Sequence, residues 1–210
     1  MTDAQFTLPM FPLGSTVFPG QVVPLHIFEE RYRALIRDLT TTSDATSLDA
    51  SFGIVLISRG HEVGGGDERT RVATQVEILQ AEEFDDGRWG VITAGKGRLN
   101  VHEWLADDPY PRAVVSTRTV ADNGGDSLAD VEELLRKTMD AVAKNAGVDA
   151  PGDISFSDDP QQKLDQMSAL SPLGEFDRQR ILEASTTREQ IALLSQLLND
   201  KLFVLIATQE

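Results

Sequence analysis

Residues 8–36, LPMFPLGSTVFPGQVVPLHIFEERYRALI, place Pro9, Pro12, Pro19 and Pro24 among short apolar runs. Proline fixes φ, removes a backbone donor and pushes the residue before it toward extended geometry, so the first half of this stretch cannot be helical. The pattern predicts two short strands, Leu8–Leu13 and Val22–Ile27, joined by a turn at Phe18-Pro19-Gly20. Proline at the first central position and glycine at the second fit a type II turn, whose second centre needs a positive φ. From Phe28 the period changes: Phe28, Tyr32, Leu35, Ile36 and Leu39 recur at helical spacing, with Glu29 and Glu30 at the helix start, where the dipole favours negative charge.

Beyond the first helix, Thr40–Ser51 is polar and aperiodic and reads as a mobile loop or an insertion. Phe52–Ser58 is a β-branched apolar run suited to a buried strand, and His61–Arg71, with three consecutive glycines, reads as a loop. Val72–Gln80 alternates with Val72, Thr74, Val76 and Ile78 on one face, and Asp85-Asp86-Gly87 signals a hairpin into Trp89–Ala94. Gly95-Lys96-Gly97 reads as a bulged turn before Arg98–Trp104, and Pro109-Tyr110-Pro111 precedes a last strand, Ala113–Thr119. About seven short antiparallel strands and one helix thus form the first part.

Asp122–Asp126 is a linker, after which the period is helical. Ser127 is an expected N-cap and Gly147 an expected C-cap around the stripe Leu128, Val131, Leu135, Met139 and Val142. Asp149–Asp159 is irregular, and Pro160 then opens a helix with Leu164, Met167 and Leu170 inward. A short helix around Gly174–Ala184 carries Phe176, Ile181 and Leu182. The final helix, with Thr187 and Gln190 as a capping box, has an apolar face wide enough to predict burial on more than one side.

Fixed-order residues resemble one family. Pro12-Leu13, Val17-Phe18-Pro19-Gly20, Pro24-Leu25, Ile27-Phe28-Glu29 and Arg31-Tyr32 look like the N-terminal, substrate-binding domain of the ATP-dependent Lon proteases. Phe52–Ile57, Val72-Ala73, Asp86-Gly87-Arg88, Gly97-Arg98-Leu99 and Pro109-Tyr110 continue the likeness. The resemblance implies an α+β fold. On that resemblance residues 1–120 are expected to form a PUA-like antiparallel β-barrel with one helix and residues 121–210 an α-helical bundle, together making one such domain.

Composition narrows the function. The 210 residues carry a net charge of −15, divided as −6 in residues 1–120 and −9 in residues 121–210. Nucleic-acid binding needs cations against phosphates, so neither half invites it. The chain has no cysteine, which fits a reducing compartment. No basic-then-apolar leader begins it, and its longest apolar run, Leu202–Ala207, is short of the ~20 residues a membrane span needs. A cytoplasmic protein without membrane contact is expected.

Catalytic machinery is not legible. The Gly-Lys pair at Gly95-Lys96 lacks the P-loop pattern, and no Gly-x-Ser-x-Gly elbow occurs. His26, His61 and His102 are separated from partners at ligand spacing, and Asp85-Asp86, Asp107-Asp108 and Asp158-Asp159 sit beside turns. No catalytic, cofactor-binding or metal residue is expected, and no cofactor. Large side chains near turns and strand ends, Phe18, Pro19, Phe28, Tyr32, Trp89, Trp104 and Tyr110, are the candidates for protein binding. The resemblance implies a non-enzymatic module for unfolded or partly folded polypeptide, an adaptor in proteolysis or quality control with a protease or chaperone as companion. A small-molecule-binding PUA-like domain is the alternative. RNA binding, which the barrel type brings to mind and the charge opposes, ranks third.

Overall fold

Proline and glycine shape the first elements of the computed structural model, which describes residues 4–42, 50–60, 66–124 and 127–207. Strand β1 (Phe6–Leu13) and strand β2 (Val22–Ile27) flank the expected turn. Gln21 N–H donates to the Phe18 carbonyl at 3.1 Å and Gly20 has φ +78°, as a type II turn requires. Helix α1 (Glu30–Thr42) follows and runs into the segment expected to be a loop. The Thr40 and Thr41 hydroxyls donate back to the Ile36 and Arg37 carbonyls at 2.8 and 2.7 Å, which lets these polar residues end a helix. The rest of that expected loop up to residue 49 lies outside the described residues.

Strands β3 (Ser51–Arg59), β4 (Glu68–Glu83), β5 (Trp89–Trp104) and β6 (Arg112–Arg118) complete the sheet. The described residues hold six strands rather than seven, because β5 is continuous through Gly95-Lys96-Gly97. Gln75 faces Gly97 and Val76 faces Gly95, which leaves Lys96 as the extra residue of a β-bulge. β4 begins at Glu68, inside the expected loop of His61–Arg71; residues 61–65 lie outside the described residues. The hairpin between β4 and β5 turns at Gly87, φ +77°, where Gly87 N–H donates to the Phe84 carbonyl at 2.8 Å.

The sheet is mixed, not antiparallel throughout. β1 lies parallel to β3, with Met10 opposite Gly53 and Leu13 opposite Leu56. A parallel pair needs a long crossover, and β2 with α1 supplies it. The strand order is β2-β5-β4-β3-β1-β6, with β6 also pairing the second half of β5. α1 lays Tyr32, Leu35 and Ile36 into a core with Phe11, Phe52, Val76 and Val91. Each such large side chain contributes roughly 1.5–3 kcal/mol. A second core cluster gathers Leu8, Met10, Val55, Leu99, Val101 and Val115.

Packing divides the chain into two compact units, Met1–Arg118 and Thr119–Glu210. The second holds helices α2 (Leu128–Ala146), α3 (Pro160–Leu170), α4 (Glu175–Leu182) and α5 (Thr187–Ala207), with α5 packed against the other three. Gly147 ends α2 with φ +67°, and Val148 N–H closes onto the Ala143 carbonyl at 3.0 Å. Asp159 caps α3 by accepting from Gln162 N–H at 2.8 Å, whereas the Ser127 side chain makes no cap bond. Asp149–Asp159 contains no helix or strand, as expected.

Three expectations about helix faces change. The cap of α5 is Thr186, whose hydroxyl accepts from Glu189 N–H at 3.1 Å, while the Glu189 carboxylate accepts from Ser185 N–H at 2.8 Å. Gln190 is instead fully buried, donating to the Asp165 carboxylate at 2.8 Å and accepting from Gln161 at 3.0 Å. Leu170 is exposed, not inward; on α4, Phe176 is exposed while Ile181 and Leu182 are buried. α5 buries Ile191, Leu194 and Leu198 but leaves Phe203, Val204 and Ile206 exposed, so its apolar face is not covered on several sides. By length and its hydropathy of 1.3, α5 resembles a membrane span, although it carries Arg188, Glu189, Asp200 and Lys201.

Candidate functional site

The Phe18-Pro19-Gly20 turn is an anchor. Phe18 is fully buried, and the turn lies directly on the β5 bulge. Gly20 N–H donates to the Gly95 carbonyl and Gly95 N–H to the Gln21 carbonyl, both at 2.9 Å. The buried Thr74 hydroxyl donates to the Val17 carbonyl at 2.6 Å. A Cβ on Gly95 would lie 3.1 Å from the Phe18 carbonyl carbon and the Pro19 Cα, and closer still to the Phe18 carbonyl oxygen. Glycine is therefore what lets the turn dock, and docking holds β2 at the margin of the sheet.

Next to that margin is a cleft of about 180 Å³. Phe11, Pro12 and Leu13 at the end of β1 form one wall, Pro24–Ile27 of β2 another, and Phe28, Glu29 and Tyr32 at the start of α1 the third. Among the described strands β2 pairs only with β5, so its other edge is open. Strand alternation turns Leu25 and Ile27 into the core and leaves Pro24 and His26 exposed. Phe28 is 54% exposed, and the His26 ring stands between Phe28 and Phe84, 6.4 and 6.5 Å away at steep angles. The surface beside the cleft is thus aromatic as well as aliphatic.

Tyr32 ties the cleft to a charged cluster. Its ring lies 4.5 Å from Phe11, and Arg31 stacks on it at 4.5 Å while pairing with Glu29 at 3.2 Å. The buried hydroxyl has no hydrogen-bond partner among the described residues, and burial pushes its pKa up to about 12. Farther along, Arg69 stacks on Trp104 at 4.5 Å, pairs closely with Asp67 and approaches Asp107 at 3.8 Å. Burial works against ionisation of Asp67, but the hydrogen bond and charge of Arg69 outweigh it and hold the carboxyl below its usual value.

The seven candidate residues therefore separate. Phe28 and Tyr32 meet in the cleft. Phe18 is core, and Pro19 is half-buried in the docked turn. Trp89 is buried at the start of β5 in the same core as Tyr32, with no partner for its indole N–H among the described residues. Trp104 is half-buried under Arg69, and Tyr110 packs against the core while its hydroxyl donates to Asp38 at 2.9 Å. Choosing by aromaticity missed Pro12, Leu13, Pro24, Leu25, His26 and Glu29. Pro24 was the available signal, since proline within a sheet is confined largely to edge strands and β2 is one. Among the described residues no three His, Asp or Glu side chains gather as a metal site. The geometry offers an apolar concavity beside a strand edge that no described strand pairs with.

Comparison with known proteins agrees with this architecture. The chain is 26% identical over 208 residues to Lon protease 2 of Herpetosiphon aurantiacus and 25% identical over 206 residues to Lon protease of Anaeromyxobacter dehalogenans. These matches cover 94% and 95% of the chain but 24% of each relative, so the chain spans about a quarter of their length. Among solved structures, a Lon N-terminal domain protein from Xanthomonas campestris shares the fold with a TM-score of 0.62 and 24% identity, covering 92% of this chain and 98% of that one. The family model for the ATP-dependent protease La (LON) substrate-binding domain matches residues 7–200. The chain belongs to the LON substrate-binding domain family.

Proposed function

We propose that this chain is a non-enzymatic recognition module that holds extended apolar segments of unfolded or partly folded polypeptides. In this reading it serves as a cytoplasmic adaptor in proteolysis or quality control, with a protease or chaperone as companion. The observation that carries it is the cleft between the end of β1, the open edge of β2 and Phe28. An extended segment laid there would seat one or two apolar side chains and offer its main chain to the strand edge. Size separates this reading from the small-molecule alternative: ligand pockets usually hold roughly 300–1,000 Å³, and this cleft holds about 180 Å³. The net charge of −15 counts against RNA. In the same reading the first unit is a PUA-like barrel, because the pairings return from β6 to β5, and the second is a helical bundle.

Fluorescence anisotropy with labelled, unfolded casein fragments tests it. Phe28→Ser, at an exposed position, should weaken binding about tenfold (~1.4 kcal/mol) with no change in melting temperature. Equal binding by this variant would refute the cleft as the site. Casein incubated with the pure protein and ATP should stay intact; fragments would overturn the non-enzymatic reading.

A further inference from the structure

Within the unit Thr119–Glu210, a second concave surface runs beside α2, independent of the cleft described above. Its apolar part, about 220 Å³, is lined by Met139, Val142 and Ala146 of α2, by Val148 and Pro151 beyond its cap, and by Leu170 of α3. Val148 and Leu170 are among the large apolar side chains this unit leaves exposed. A polar depression of about 190 Å³ shares Met139 and Pro151 with it and adds Arg136, Asp140 and Asp153. From Arg136 to Ala146 the combined trough follows ten helical steps, on the order of 15 Å, enough for two to three turns of a docked helix.

Charge specifies the occupant. Asp140, Asp149 and Asp153 line the trough, all exposed, and none has an ion-pair partner among the described residues. Arg136 is the one cation in the lining, and it is engaged: its guanidinium pairs with Glu132 at 2.9 Å and donates to the Ile154 carbonyl at 2.7 Å. Residues 121–210 as a whole carry 17 carboxylates against 8 Lys and Arg. We propose that this trough docks a partner polypeptide segment in which apolar anchors are flanked by lysine or arginine. The anchors enter beside Val142, Val148 and Leu170, and the flanking cations face Asp140, Asp149 and Asp153. Complementary charge of this kind raises the encounter rate and rejects acidic segments.

The test uses the full chain and a fluorescein-labelled amphipathic peptide of leucine and lysine, beside the same peptide with glutamate for lysine. The lysine peptide should bind saturably and more weakly as salt rises, and the glutamate peptide should not bind. Two surface variants, Val148→Ser with Leu170→Ser and Asp140→Lys with Asp153→Lys, should each lower affinity about tenfold. Phe28→Ser should leave this binding unchanged, which separates failure here from failure of the cleft. Binding that falls with salt but ignores both variant pairs would be diffuse attraction to the net charge and would overturn the proposal. Loss with Phe28→Ser, or no saturable binding of the lysine peptide, would overturn it equally.

Discussion

Replacing Gly95 by alanine adds one methyl group, which meets backbone on arrival. The added Cβ would sit 3.1 Å from the Phe18 carbonyl carbon and the Pro19 Cα, with the Phe18 carbonyl oxygen closer still. Neither partner is the free end of a flexible side chain. The turn cannot simply lift away, because the buried Phe18 ring and the two 2.9 Å bonds linking Gly20, Gln21 and Gly95 hold it down. Overpacking of this kind costs roughly 1–3 kcal/mol. The two hydrogen bonds contribute about 0.5–1.5 kcal/mol each; stretched rather than broken they lose only part of that, which brings the expected loss to about 2–4 kcal/mol. At about 2–4 °C per kcal/mol for a chain of this size, the melting temperature should fall by roughly 5–15 °C. Gly97→Ala supplies the control. It lies two residues along the same bulged strand, has no heavy atom near its added Cβ, and lacks a positive φ. It should change stability by less than about 0.5 kcal/mol. Circular dichroism melts of the two variants beside the parent protein decide the matter. If Gly95→Ala melts with Gly97→Ala, the turn does not depend on that close approach and the reasoning fails.

Other outcomes follow from single groups. Tyr32→Phe removes a buried hydroxyl without a partner among the described residues, so urea unfolding should show stability unchanged or raised by up to about 1 kcal/mol; a clear loss would mean the hydroxyl is satisfied. The same residue sets a pH dependence. Its folded pKa of about 12 lies above the ordinary value of 10.0, so its contribution is fully present below pH 10 and is lost as pH rises toward 12. Unfolding curves across that window should be flatter for Tyr32→Phe, and a slope identical to the parent's would contradict the burial argument. Asp159→Ala deletes the cap bond to Gln162 and should cost about 1 kcal/mol, whereas Ser127→Ala should cost less than about 0.5 kcal/mol. Equal effects would show that the two caps are not distinguished by that bond.

Local backbone chemistry was the most legible part of the sequence. Pro19-Gly20 announced its turn, Asp86-Gly87 its hairpin and Gly147 its cap, because each requires a φ that few residues adopt. Pairing was less legible. Alternation identifies a strand's buried face but not its neighbour, so the parallel β1–β3 ladder could not be read from it. Gly95-Lys96-Gly97 imitates a turn by composition, yet its first glycine serves a close approach from residues far away in sequence. Glu68 and Arg69 look like loop residues until Arg69 is seen lying on Trp104. For the site, aromatic character found Phe28 and Tyr32 but also gathered Phe18 and Trp89, which fill the core. Burial depends on tertiary packing, and no spacing rule separates a core aromatic from an exposed one.

A hydrogen-exchange footprint of the whole chain, taken with and without unfolded casein fragments, locates the bound segment. Binding in the cleft should slow exchange, within the first unit, only at the end of β1, the β2 edge at Leu25–Ile27 and the Phe28–Tyr32 segment. Protection absent there while the fragments remain bound would contradict it.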